Sequence, residues 1–460
     1  MSTLNKSDKR IYTLSQENPY RAVVKLGVPL ICGMFVMMLY NLVDTYFIGL
    51  IGDDYMLAAV NLAYPTMMIM VAVSNIVGAG AASLIGRSLG AGDKDLAEHT
   101  VTTGMLLTVI NSLIVTLLGL VFIDKIVEVL GAKQNTFGFT KEYVFVIVLG
   151  TVFTMGNYTL GQLLRSEGSV KYSIIGMIAG TVVNLVLDPV FIFSLGMKVR
   201  GAAIATVLGN ASGAVISVIL YLCGATILRP HMKYIKPTRE ILKEIFWVGI
   251  PASLETLLTS VAYVVNNNLA VAYGELYVTA TGIAQKIMTV GNYIYQGFAS
   301  GVQPLMGYNF GARNYTRMRA CFKAGLIVVN LIELTVMLVF FLFAPVFIGL
   351  FSKTPVVIEI GSHVLRTIMF ILPFVSAVSM TRMSFQAMGK PGYAFAITLV
   401  RQLLLYIPLL LILNKFFGFN GMIWAQPLTE LIMMCVSVKL MLWLLSKVES
   451  GEGLTDLPSE

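Results

Sequence analysis

The chain writes one series of membrane-length apolar stretches twice, in the same order, at a spacing near 221 residues. A Gly-x-Pro opening at Gly27 to Pro29 returns at Gly249 to Pro251, and GRSLGAGD at Gly86 to Asp93 returns as GYNFGARN at Gly307 to Asn314. Gly168 aligns with Gly389, and GAAIA from Gly201 with GMIWA from Gly421. Two similar bundles can rock against each other around a central site, so a duplicated membrane protein is more often a transporter than an enzyme or a receptor.

Hydrophobic residues make up 57% of the chain and charged residues 12%, whereas about a quarter of a soluble protein is charged. Apolar stretches of about 20 residues, each able to cross roughly 30 Å of hydrocarbon as a helix, recur about twelve times. The expectation is an all-α membrane protein of twelve transmembrane helices. It divides into an N-terminal cytoplasmic segment (1–22), a first lobe (23–223), a linker (224–244), a second lobe (245–446) and a cytoplasmic tail (447–460). An even number of helices per lobe makes the lobes parallel repeats related by a pseudo-two-fold axis along the membrane normal.

Of the 32 Lys and Arg residues, about 20 fall at the termini or in the loops after even-numbered spans and about seven on the other side, which puts both termini in the cytoplasm of a cell-membrane protein. Lys6, Lys9 and Arg10 lie too far from the first apolar run for a cleaved signal peptide. The net charge of +8 follows from this bias and calls for no nucleic-acid partner. Cys32, Cys223, Cys321 and Cys435 lack metal-ligand spacing and read as packing residues. Gly86, Ser88 and Gly90 match the G-x-S-x-G pattern of hydrolases without its strand–turn–helix context, and the second copy has Asn309 in place of Ser88. The three histidines form no nucleophile–base set, so no enzyme activity is expected.

An intramembrane acid costs several kcal/mol unless it faces a cavity or a partner, which makes such acids functional candidates. The first lobe holds two, Asp44 in the first span and Asp188 in the fifth, each about 26 to 32 Å up its helix. Tyr40 lies one turn before Asp44, Asn184 one turn before Asp188, and Thr206 reaches the same level on the sixth span. Oxygens of these kinds suit a proton or a small hard cation such as Na⁺. Two carboxylates held close in a low-dielectric setting do not both ionise readily, which makes the pair a candidate proton carrier. Pro29 and Pro189 bend or break their helices. The competing reading is a static polar plug that fixes helix packing.

The second lobe has Asn266 where the first has Asp44. It carries Glu255, Glu333 and Glu430 inside its spans, with Lys286, Arg366 and Arg401 as counter-charges, while Arg382 and Lys439 are expected to reach back to the interface. Glu255 either attracts a cationic substrate or is neutralised by a basic neighbour. Abundant Met and aromatic residues suit a wall that repacks around differently shaped molecules.

From about Pro19 to Ser446 the chain resembles the multidrug and toxic compound extrusion (MATE) transporters, in particular their DinF-like and MepA-like branch. The resemblance rests on LGVP, YNLVDTYFIG, GRSLGAGD, LRSEG, NLVLDPVFIF, GAAIAT and FQAMGKPG. It implies the twelve-helix, two-lobe MATE fold and export of lipophilic organic cations in exchange for H⁺ or Na⁺ by alternating access, with no other cofactor and with a monomer as the working unit. It also implies a cation site at Tyr40, Asp44, Asn184, Asp188 and Thr206, a bend at Pro29, and a polar cavity position at Gln285. The NorM-like branch has an acid in its seventh span where this chain has Thr259, with Glu255 one turn earlier. A flippase for a lipid-linked precursor is the alternative, although such proteins often need a cationic cavity and the first lobe offers two acids.

Overall fold

The computed structural model describes residues 6–50 and 53–449; the side chains of residues 6, 7, 40–42, 44–46, 49, 54, 256, 257, 260, 261, 263, 264, 267, 268, 271, 275 and 449 lie outside it. The expectations for Tyr40 and Asp44 therefore fall outside the described residues. The first copy comprises α1 (Lys6–Ser15), α2 (Pro19–Gly49), α3 (Asp54–Gly90), α4 (Lys94–Val121), α5 (Ile123–Val129), α6 (Gln134–Leu149), α7 (Thr151–Ser166), α8 (Val170–Pro189), a π turn at Val190–Ser194, and α9 (Lys198–Leu222). The second comprises α10 (Arg239–Val271), α11 (Glu275–Gly311), α12 (Tyr315–Leu342), α13 (Ala344–Gly349), α14 (Pro355–Met369), α15 (Ile371–Ala387), α16 (Pro391–Leu399), a π turn at Val400–Tyr406, and α17 (Ile407–Glu449).

The duplication persists down to helix ends. Both ends of α3 and α11, and of α4 and α12, stand 221 residues apart (54 to 275, 90 to 311, 94 to 315, 121 to 342). Asp93 accepts from the Leu96 N–H at 2.9 Å and its counterpart Asn314 from the Arg317 N–H at 3.1 Å, so the two helices share one N-cap. The turn before each cap is left-handed at Gly92 (φ 81°) and at Arg313 (φ 55°). The repeated motif glycines Gly86 and Gly307 are helical, and Gly90 and Gly311 end their helices, so the turn's demand falls two residues beyond the motif's last repeated glycine. Ser88 is buried in the last turn of α3.

Eight helical stretches among the described residues are long and apolar enough to cross a membrane, and α6 with α7, bent by 55°, form a ninth. The bend sits at Gly150, where a Cβ would meet Val207 at 2.3 Å. One of the eight, Pro391–Val448, is two rods folded at Gly418 (φ 57°, ψ −139°), and α10 and α11 add two more of 33 and 37 residues. Twelve rods result. Polarity runs outward to inward in the order lipid demands: α4 exposes Ile110, Leu113, Leu117 and Val121 and buries Thr100, Thr103, Thr108 and Ser112. The Thr100 and Thr108 hydroxyls donate to carbonyls one turn back, each at 2.7 Å, so their burial leaves no donor unused.

The chain forms two compact units, the first of Met1–Ile11 with Cys32–Ser253 and the second of Tyr12–Ile31 with Leu254–Glu460. The chain passes between the units three times, between Ile11 and Tyr12 in the short α1, two residues after Pro29 in α2 and two after Pro251 in α10. In the first unit the start of α10 crosses α3 so closely that a Cβ on Gly249 would lie 1.7 Å from the Ile76 carbonyl oxygen, and one on Gly80 would lie 2.0 Å from that of Ile245. In the second unit the start of α2 crosses α11 the same way, with Gly301, the counterpart of Gly80, 2.5 Å from the Gly27 Cα by the same measure. No residue but glycine fits such crossings without moving a backbone.

The linker docks on the first unit. Arg87 pairs with Glu244 at 2.8 Å, Tyr234 donates to Asp95, and His99 stacks on Tyr234 with ring centroids 4.9 Å apart. Glu167, in the short turn between α7 and α8, is fully buried and accepts the Leu228 N–H at 3.0 Å. Beside it Arg10 donates to Ser169 Oγ at 2.7 Å and to the Ala225 carbonyl at 2.9 Å. Burial pushes the Glu167 carboxyl up to about 7, against the opposing hydrogen bonds of Ser169 and Leu228.

Candidate cation site

Four residues on α8, Gly176, Gly180, Asn184 and Asp188, follow one another at intervals of four and share one helix face. The two glycines draw α9 against that face: a Cβ on Gly180 would lie 2.8 Å from the Gly209 carbonyl oxygen, and one on Gly209 would lie 2.7 Å from that of Gly180. With the backbones this close, the next two positions of the stripe are carried into the seam. Asn184 and Asp188 are buried, Asp188 completely, and Thr206 comes in from α9. The Asn184 amide donates to Thr206 Oγ1 at 3.4 Å, while its Oδ1 completes no hydrogen bond among the described residues. Immediately after Asp188 the helix passes Pro189 into the π turn, closed by a bond from the Leu195 N–H to the Val190 carbonyl at 2.9 Å. Such π segments recur at functional sites.

Two further polar residues extend the seam. Asn210, one turn beyond Thr206, donates to the Thr206 carbonyl at 3.1 Å and accepts from Asn157 Nδ2 of α7 at 3.0 Å. The sequence reading did not name either asparagine. The four-residue step from Thr206 to Asn210 was visible in the sequence, whereas the approach of Asn157 depends on how α7 packs. The described part of the site thus offers a carboxylate, an amide oxygen and a hydroxyl on two tightly packed helices, a donor set for a proton or a hard cation. Groups of three or more His, Cys, Asp or Glu able to hold a metal do not occur among the described residues.

Two of the buried acids in the second unit are paired with arginines. Glu255 on α10 is buried and receives both Arg382, in an ion pair, and Gln386 Nε2 at 3.0 Å. Arg382, expected to reach back to the interface, instead turns inward, because an unpaired carboxylate at Glu255 would cost more than burying part of a guanidinium beside it. Of the counter-charges expected for the second-lobe acids, Arg401 pairs with Glu430 at 3.0 Å, Arg366 donates to the Phe341 carbonyl at 3.2 Å, and Lys286 is exposed. Gln285 is half-buried on α11 and its carbonyl accepts from Thr289 Oγ1 at 3.1 Å. Thr259 donates to the Glu255 carbonyl at 3.0 Å.

A duplicated bundle of lipid-facing helices with acids buried in its interior is the architecture of a membrane transporter. The MatE family model matches residues 29–190 and again 251–412, once per copy, and the chain belongs to that family. It is 30% identical over 423 residues to the multidrug export protein MepA of Staphylococcus aureus (strain MRSA252), covering 92% of this chain and 93% of that protein. It superposes with a TM-score of 0.92 on the outward-facing conformation of a multidrug resistance MATE family transporter of the MOP superfamily, at 29% identity over 97% of this chain and 100% of the other. A MATE structure in the bent conformation matches with a TM-score of 0.90 at 28% identity, over 98% of this chain and 100% of that one. The twelve-helix, two-lobe MATE fold expected from the sequence is the fold observed.

Proposed function

We propose that this protein is a multidrug exporter that expels lipophilic organic cations in exchange for H⁺ or Na⁺. Relatives named as multidrug export proteins, aligned over nearly their whole length, support drugs over a lipid-linked precursor as cargo. The observation that carries the coupling is the seam of α8 and α9, where Asn184, Asp188 and Thr206 are buried together by the glycine stripe. Asp44 and Tyr40, one turn apart on α2, complete the cation site in this reading. The cation and the drug favour different conformations of the first unit, and that differential affinity couples the two fluxes. Pro29 is the hinge: it leaves one α2 carbonyl without its helical donor, and the boundary between the compact units falls two residues later. A relative solved in a bent form supports two states of this kind. Gln285 and the Met and aromatic side chains supply cavity wall, the protein works as a monomer, and both termini are cytoplasmic.

Asp44→Asn tests the assignment in cells lacking their own pumps. The variant should reach the membrane at the wild-type level and confer no resistance to ethidium. Resistance equal to wild type would remove Asp44 from the coupling site.

A further inference from the structure

Glu333, in the middle of α12, has no part in the reading above. It is 0% exposed, on a helix whose other face shows Ile327, Leu331, Leu334, Leu338 and Leu342. The Tyr295 backbone lies against its carboxyl, and neither carboxyl oxygen completes a hydrogen bond among the described residues. The position 221 residues earlier, on α4, is Ser112, equally buried, whose hydroxyl donates to the Val109 carbonyl of its own helix at 2.8 Å. One copy thus fills this place with a group that satisfies itself, and the other with an acid that does not.

Among the described residues, the arginines nearest this place are already engaged. Helices α11, α13, α14, α15 and α17 pack on α12. From α11 comes Tyr295, which stands in the field of Arg382, Arg401, Glu333 and Glu430. Arg382 of α15 is engaged by Glu255. Glu430 of α17 holds Arg401 from the π turn before it. Arg366 of α14 is turned to a backbone carbonyl of α12 itself, and α13 contributes no titratable side chain. An ionised carboxylate in such a place would carry a desolvation cost of several kcal/mol, with the Tyr295 backbone as its one offsetting neighbour among the described residues.

We propose that Glu333 is a proton-binding site of the second unit, occupied in this conformation as the neutral acid and emptied when the surrounding helices repack during the transport cycle. Binding forms one O–H bond on a carboxylate oxygen and release returns the proton to water, so no other reactant is needed. Helix movement that freed Arg382 or Arg401 from its present partner would stabilise the carboxylate and expel the proton. The site goes beyond the first-unit cation site and is independent of which ion that site takes.

Infrared spectroscopy on the full chain in lipid tests it. At neutral pH the wild type should show the carbonyl-stretch band of a buried protonated carboxylic acid that Glu333→Gln lacks. Glu333→Ser, which installs the residue of the first copy, serves as a second reference should the glutamine variant insert poorly. In proteoliposomes loaded with ethidium, wild-type efflux driven by a pH gradient should fall severalfold in Glu333→Gln while ethidium binding is retained. The absence of any difference in the protonated-acid carbonyl band between the wild type and both variants would mean that Glu333 is ionised, and would overturn the proposal. A band lost in the variants with efflux unchanged at every pH would make Glu333 a permanently neutral packing residue, and would overturn it equally. The infrared arm does not depend on export, so failure of the wild type to move ethidium under both a pH gradient and a sodium gradient would count against the exporter reading alone.

Discussion

Among single residues, the buried charges make the sharpest demands. Arg382→Met leaves Glu255 with Gln386 as its remaining partner and should lower stability by about 3 to 5 kcal/mol, whereas Glu255→Gln combined with Arg382→Met should restore most of the loss; thermal unfolding of the purified single and double variants measures the difference. Glu167 gives a pH signature. Its native value of about 7 lies above the ordinary 4.5, so the folded protein keeps a proton that the unfolded chain releases. Its contribution is therefore fully present below pH 4.5 and is lost as pH rises through about 7, a difference of about 3 kcal/mol. Glu167→Gln should flatten the fall in melting temperature over that window and raise the midpoint above it. A wild-type profile and a variant profile of the same slope would show that the carboxyl stays ionised.

For the helices, spacing within one element was legible and pairing between elements was not. Asn184 and Asp188 could be placed on one face from their four-residue interval, and Thr206 at their level from helix direction alone. The role of Gly176 and Gly180 in pressing that face onto α9 needed Gly209 and Gly213 of α9, the latter with its carbonyl oxygen 3.2 Å from a Cβ on Gly176, which no interval within α8 announces. Arg382 was misread for the same reason: its position near a helix end suggested an interfacial side chain, and only the packing of α15 on α10 reveals the acid it meets. The π turn after Pro189 and the fold at Gly418 were likewise invisible, since proline and glycine mark a break without fixing its geometry. The seam yields a prediction: Gly180→Ala puts a methyl 2.8 Å from a backbone oxygen and should cost about 1 to 3 kcal/mol in stability, with loss of coupled efflux. Gly138→Ala in α6, whose new Cβ meets nothing within 4 Å, should unfold at or slightly above the wild-type temperature.

Across the whole molecule, two copies of one fold have kept their helix ends, caps and glycine crossings while exchanging their chemistry. The first copy buries Asp188 beside an amide and a hydroxyl; the second pairs Glu255 and Glu430 with arginines and leaves Glu333 to hold a proton. Two of the boundaries between the compact units fall just beyond Pro29 and Pro251, prolines that occupy the same place in both copies and each remove a helical hydrogen bond from a long rod. Pro251→Ala should therefore stiffen α10 as Pro29→Ala stiffens α2, and each should slow ethidium efflux with little change in ethidium binding, a contrast that equilibrium binding and transport assays on the same preparation resolve. Coupled export in this protein turns on cation exchange at the α8–α9 seam. Its most direct test is ethidium efflux from proteoliposomes under a pH gradient without sodium and then under a sodium gradient at constant pH, for the wild type and for Asp188→Asn. The wild type should respond to at least one gradient and the variant to neither; a variant driven as fast as the wild type would contradict the account.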